Sequence, residues 1–342
     1  MADRPDTNPV LSCQGMTCEL ASISGPLKIL QDISFSIGTR RALGIVGESG
    51  AGKSMLIKAI MGIAPRGLDI SGRIELDGQD LLALKPKARA RFIGRKVGIV
   101  FQNPMTSLNP FVKVGRQIEE AGRSHLGLGR AEARARAIEL LSFVGIPDPE
   151  DCYSYFPHQF SGGMKQRIMI AAALMCRPEL LIADEATTAL DVTVQKEVLD
   201  LLQTIQEERQ MSMILVSHNL GVVAGRTDDI LVLYGGTVVE YGPTAEVFRN
   251  PRHRYTDALL SAMPHMNQPA HTRLRTIPGQ PPNLANRPAG CPFAPRCPAA
   301  EARCHEVMPE MTTGADKNHR FACHFPLAEA ARPVPMEAAH AQ

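Results

Sequence analysis

Eight consecutive residues, Gly47 to Ser54, read G-x-x-x-x-G-K-S. Glycines at this spacing let successive backbone N–H groups turn inward toward anionic oxygens, and a following helix N-terminus adds positive potential. Gly47, Ser49, Gly50, Ala51 and Gly52 would form that cradle. Lys53 would reach the outer phosphates as a compact cation, and Ser54 would offer its hydroxyl to Mg²⁺. The chemistry implied is binding of a nucleoside triphosphate.

Farther along, "LLIADEATTALD" ends an apolar run in two carboxylates. Asp184 is suited to hold Mg²⁺ through water, and Glu185 to polarise an attacking water as general base. That role is typically worth ~10²–10⁴-fold in rate. His218 follows a third apolar run, "MSMILVS", and would act in catalysis or in sensing the terminal phosphate.

These residues need rigid supports at one edge of a sheet. Ala42–Val46, Leu180–Ala183 and Met213–Val216 are short, wholly apolar runs, as buried parallel strands require. The chemistry-bearing residues follow each of them, at the carboxyl ends where α/β sheets bind ligands. Met55, Leu56, Ile57, Ala59 and Ile60 predict a helix after the glycine loop, and Val194, Val198, Leu201 and Ile205 predict a crossover helix.

A chain of 342 residues with 44% hydrophobic content can build a substantial core. Its net charge of +2 gives no whole-chain argument for nucleic acid. The start lacks a signal-peptide layout, and the longest apolar stretch, Ile168 to Cys176, falls far short of the ~20 residues that span a bilayer. A soluble cytosolic chain is the expectation. The basic passage "LKPKARARFIGRK", residues 84 to 96, reads as a solvated face beside a strand. Cys13, Cys18, Cys152 and Cys176 read as small buried hydrophobes.

Between the two nucleotide motifs stand "FQNPMTSLNP" and "YFPHQFSGGMKQRIMIAAAL". The glycine loop, Gln102, Ser161-Gly162-Gly163, Asp184-Glu185, Leu190-Asp191 and His218, in this order, resemble the ATPase subunit of ABC transporters over about residues 10 to 260. The resemblance implies an α/β P-loop cassette: a mixed core sheet with helices, an antiparallel β subdomain and a helical subdomain at about 103–178. It makes Gly47–Ser54 the Walker A motif, Leu181–Glu185 the end of Walker B, and Gln102 the Q-loop residue. Gln102 would touch Mg²⁺ and lie where membrane subunits dock. Ser161, Gly162 and Gly163 become the signature, facing the γ-phosphate held by an opposite ATPase. Asp191 becomes the D-loop aspartate and His218 the switch histidine. One departure is that the adenine-stacking aromatic of the family has no counterpart near Leu20.

Cys291, Cys297, Cys304 and Cys323 gather in a Pro-rich tail at spacing C-x5-C-x6-C-x18-C. A metal or cluster site, free buried thiols and disulfides are the three readings; within the first, all-thiolate ligation suits iron–sulfur or Zn²⁺. The tail, with "IPGQPP" and "GCPFAPRC", is similar to that of oligopeptide/dipeptide-uptake ATPases. That resemblance implies a [4Fe–4S] cluster on these four cysteines.

The expectation is then an ATP-hydrolysing subunit of a peptide importer. It would work at the cytoplasmic membrane face with a second, different ATPase chain, two permease subunits and an extracytoplasmic binding protein. Rivals are a nickel or other small-solute importer, an exporter's ATPase, and a soluble ABC ATPase acting on nucleic acid or ribosomes. The last generally carries two cassettes or heptad arms, and this chain has neither. The expected organisation is a disordered segment at 1–9, a nucleotide-binding domain at 10–264, a Cys-rich irregular extension at 265–326 and a disordered tail at 327–342.

Overall fold

The computed structural model describes residues 9–21, 25–186, 191–263, 276–284 and 287–328. Most of both expected disordered ends, and Leu190, lie outside the described residues. The chain forms two compact units, one of residues 1–10, 38–40 and 81–216, the other of 11–37, 41–80 and 217–342.

In the first unit, strands Val97–Val100, Leu180–Asp184 and Ser212–Ser217 pair in parallel in that order. Every residue of Leu180–Asp184 is buried, as continuous apolar runs demand of a strand covered on both faces. The helix Val192–Arg209 buries Val198, Leu199, Leu202 and Ile205. Leu201, expected on that face, is only half-buried, and its neighbour Leu202 points inward instead. Helices Val114–Ala121, Arg130–Phe143 and Gly162–Leu174 pack on one another. Their inward residues include Ile118, Leu141 and Ile170, each worth about 1.5–3 kcal/mol on burial. The basic passage forms the helix Pro86–Lys96, which buries only Ile93 and leads into the strand Val97–Val100.

The second unit holds a four-stranded antiparallel sheet in the order Leu27–Ile37, Leu11–Leu20, Leu68–Leu76, Gln79–Asp80. It also holds the strand Ala42–Val46, which runs parallel to Asp229–Tyr234. That strand turns back through Gly235-Gly236 into Thr237–Pro243, and both glycines have positive φ, as a tight hairpin requires. The tail contributes here: Arg320–Phe321 pairs with Thr237–Pro243, and Thr312–Thr313 pairs with Arg320–Phe321. Leu327 N–H donates to Arg252 O, so the chain at the start of the expected disordered tail is held.

Buried Glu240 ties this region together. Its carboxylate accepts from the N–H groups of Arg252 and His253 and lies 2.8 Å from His319 Nε2. The helix Arg254–Ser261 closes the expected nucleotide-binding domain and starts on a buried His253. Burial pushes that imidazole down to about 3 and keeps it neutral, so Nδ1 can accept from Tyr255 N–H.

Candidate active site and cysteine cavity

The glycine loop leaves the fully buried strand Ala42–Val46 and enters the helix Lys53–Met61. Gly47, Gly50 and Gly52 all have positive φ. A β-carbon on Gly47 would collide with the Leu233 carbonyl oxygen, and one on Gly52 would come within 2.6 Å of Leu30. Gly50 faces open space, so only its φ of 80° demands glycine. The helix begins at Gly52 without a side-chain cap, leaving its first N–H groups for an anion. Lys53 is buried and folds back over the loop, Nζ donating to Gly47 O at 2.8 Å and Glu48 O at 3.1 Å. Ser49, Ala51 and Ser54 lie where the sequence puts them, in the loop and the first helical turn.

His218 belongs to the same unit and is exposed just beyond the strand Ser212–Ser217. Its neighbour Asn219 turns the chain, Oδ1 accepting from Gly221 N–H. Leu20, at the position that lacks an aromatic, ends the strand Leu11–Leu20 half-buried.

The other predicted residues belong to the first unit. Asp184 is buried at the end of its strand, and Glu185 follows it. Glu185 has φ of 47°, a left-handed conformation costing a non-glycine residue about 1–3 kcal/mol. Its N–H donates to Val216 O, and its Oε2 accepts from Gln102 Nε2 at 2.8 Å. The structure thus joins two residues 83 positions apart.

Ser161 caps the helix Gly162–Leu174, its Oγ accepting from Met164 N–H at 3.3 Å. Asp191 caps Val192–Arg209 in the same manner through Val194 N–H at 3.0 Å. These two helix starts abut, because a β-carbon on Gly163 would lie 2.7 Å from Val194 Cγ1. Ser161, Gly163 and Asp191 therefore form one corner of the first unit.

Sequence reading missed Tyr255, whose hydroxyl accepts from Glu48 N–H at 2.8 Å across 207 positions. Spacing carries no signal for that contact. It also missed Gly236, whose N–H donates to Ala51 O; a Gly-Gly pair can signal a turn but not what the turn touches.

All four tail cysteines line one cavity, together with His253, Arg254, Phe293, His324 and Phe325. Cys291 N–H donates to Cys304 O, drawing the first and third cysteines together. Burial pushes the Cys291 thiol up to about 11 and also raises Cys297 and Cys323. All eight cysteines are free thiols in this structure. Of the scattered four, Cys13, Cys18 and Cys152 are buried, and Cys176 is half-buried beside Arg136 and Arg95. Among the described residues, no three His, Cys, Asp or Glu side chains converge closely enough for a single metal ion. No described helix is long and apolar enough to cross a membrane.

Comparison with known proteins bears on both regions. The ABC transporter family model matches residues 30–188, and the model described as the oligopeptide/dipeptide transporter C-terminal region matches 239–304. The dipeptide transport ATP-binding protein DppD of Escherichia coli (strain K12) is 44% identical over 95% of this chain and 99% of its own length. The oligopeptide transport ATP-binding protein OppD of Haemophilus influenzae is 40% identical over 90% of this chain and 94% of its own. Among solved structures, the dimeric ATP-binding cassette MJ0796, in a post-hydrolysis state bound to ADP and Pi, superposes with a TM-score of 0.61 at 25% identity. The match covers 68% of this chain and 98% of that one.

Proposed function

This chain belongs to the ABC transporter ATPases, and from that premise we propose that it is the ATP-hydrolysing subunit of an importer for di- and oligopeptides. The observation that carries the reading is the presence, in one chain, of the ATPase match at 30–188 and the peptide-transporter C-terminal match at 239–304.

In this reading the Gly47–Gly52 backbone wraps the phosphates of ATP, and Lys53 exchanges its loop carbonyls for phosphate oxygens. Ser54, Asp184 and Gln102 would hold Mg²⁺, whose charge offsets that of the phosphates. Glu185 accepts a proton from the attacking water, and His218 contacts the terminal phosphate. Because Gln102 hydrogen-bonds Glu185, and the resemblance assigns Gln102 to the docking side of the membrane subunits, it would link the base to docking. Ser161, Gly162 and Gly163, with Asp191 beside them, would meet nucleotide held by a second and different ATPase chain. Two permease subunits and an extracytoplasmic binding protein complete the importer, with this chain peripheral on the cytoplasmic membrane face and nucleic acid playing no part.

Cys291, Cys297, Cys304 and Cys323 would be the ligands of a [4Fe–4S] cluster. What supports the reading is that the donors are all thiols, in the required number, and line one space. Zn²⁺ on the same four thiolates is the alternative. When bound, the cluster would cross-link a segment with little core of its own.

The test is Glu185→Gln in the complex assembled in lipid vesicles. Peptide-stimulated phosphate release should fall ~10²–10⁴-fold while nucleotide binding persists. Normal turnover would refute the base, and uptake indifferent to peptides would refute the cargo. Anaerobically purified protein should be brown and contain iron; zinc or no metal would remove the cluster.

A further inference from the structure

Arg296 stands immediately before Cys297, and its side chain is directed at the phosphate loop rather than at the cysteines. Nη1 donates to Glu48 Oε2 at 2.5 Å and to Tyr234 Oη at 3.1 Å. Nη2 donates to Glu48 Oε1 at 3.0 Å and to Ile277 O at 3.1 Å, and Nε to Pro278 O at 2.8 Å. The whole guanidinium fork is thus engaged in a side chain only 5% exposed. Glu48, its carboxylate partner, is the second residue of the glycine loop.

The tail motifs acquire a use from this contact. The "IPG" of "IPGQPP" supplies the two carbonyls that receive Arg296, and Gly279 (φ 80°) turns the chain beside the arginine stem. The "PRC" of "GCPFAPRC" supplies the arginine itself. A second tail arginine, Arg287, donates to Gly235 O and to Gln31 Oε1, bracing the hairpin whose Gly236 N–H holds Ala51 O. The tail therefore supports the loop at its second and fifth residues.

A loop with three glycines at positive φ has little stiffness of its own, yet anion binding requires its N–H groups to converge before the ligand arrives. A carboxylate within that loop also opposes an incoming polyanion unless it is paired. Arg296 meets both needs through one bidentate contact.

We propose that Arg296 is a positioning residue for nucleotide binding, holding the phosphate loop in its anion-receiving shape and neutralising Glu48, so that the Cys-rich extension sets the affinity of the chain for ATP. This deepens the reading of Gly47–Ser54 as the nucleotide site and rests on it, but it does not depend on which group fills the cysteine cavity.

The test measures binding of a fluorescent ATP analogue to the full chain, and the KM and kcat of the assembled importer. Arg296→Met should weaken binding about 10-fold and raise KM by a similar factor while kcat changes little, because an unpaired carboxylate is left beside the site. Adding Glu48→Gln to that variant should restore much of the affinity; a merely structural arginine would give no such rescue. Arg296→Lys, which keeps the charge but loses the fork, should fall between the two, and it covers the case in which the Met variant fails to fold. Unchanged affinity in both arginine variants, or a loss that Glu48→Gln does not relieve, would overturn the proposal. Lys53→Ala serves as the control: if it leaves nucleotide binding intact, the reading of the loop itself fails, and the proposal with it.

Discussion

The chain contains two glycine-bearing turns that each open a helix, Gly47–Ser54 and Ser161–Gly163, and they are built differently. The first is walled in by its own unit, with positive φ at three glycines, no side-chain cap, and a buried lysine folded over it. The second is exposed at Ser161 and already closed by it, the serine hydroxyl accepting from Met164 N–H. The first thus has a complete set of donors and a cation waiting for a ligand. The second has its capping oxygen occupied by its own helix. The contrast is that of an uncapped glycine cradle with a capped helix start, and the proposed role of Ser161–Gly163 toward nucleotide on another chain would make the second a half-site.

The largest effect expected is from Gly47→Ala. Its β-carbon would strike the backbone oxygen of Leu233, which no side-chain movement can relieve, so nucleotide binding should fall by more than about 100-fold and the chain should lose thermal stability. Calorimetric titration with ATP checks this, and near-normal affinity would break the contrast. Next is Ser161→Ala. Loss of the cap should cost about 1 kcal/mol of stability, seen as a lower unfolding midpoint. Nucleotide binding by the isolated chain should be untouched, whereas hydrolysis by the assembled importer should fall at least several-fold. A matching loss of binding in the isolated chain would mean that the second turn is part of the first site.

Gly163→Ala should do less. The obstructing atom is a side-chain methyl of Val194, which can shift, so the variant should lose roughly 1–2 kcal/mol and recover part of it on Val194→Ala. Double-mutant denaturation measures that recovery. The smallest effect belongs to Gly50→Ala, where no protein atom obstructs and only the left-handed conformation resists; about 1 kcal/mol is expected, read from the unfolding midpoint, with a smaller loss of nucleotide binding than for Gly47→Ala.

Much of this was legible from local order. The phosphate loop could be read because its function uses consecutive backbone groups, and the glycines that free them must stand in one short run. The strands Ala42–Val46 and Leu180–Asp184 could be read because burial on both faces excludes polar residues. Helix register was read less well: Leu201 and Leu202 are adjacent and chemically identical, and only packing chose between them. The four cysteines signalled a common purpose by type. That they share one cavity, and that Cys291 N–H reaches Cys304 O, came from the folding of a segment whose sequence has no periodicity.

Order along the chain determined by itself the proposed phosphate cradle of Gly47 to Ser54, because its donors are neighbouring N–H groups and one lysine. It likewise determined the carboxylates Asp184 and Glu185 and the thiol inventory of the tail. Tertiary structure alone decided that Gln102 would hold Glu185, that Glu240 would gather His319 and two backbone amides, and that Arg296 would grip Glu48 from 248 positions away. For Glu240 and Arg296 the physical reason is that a buried charge must find a partner wherever the fold supplies one, and for all three contacts neither spacing nor composition records where the chain returns.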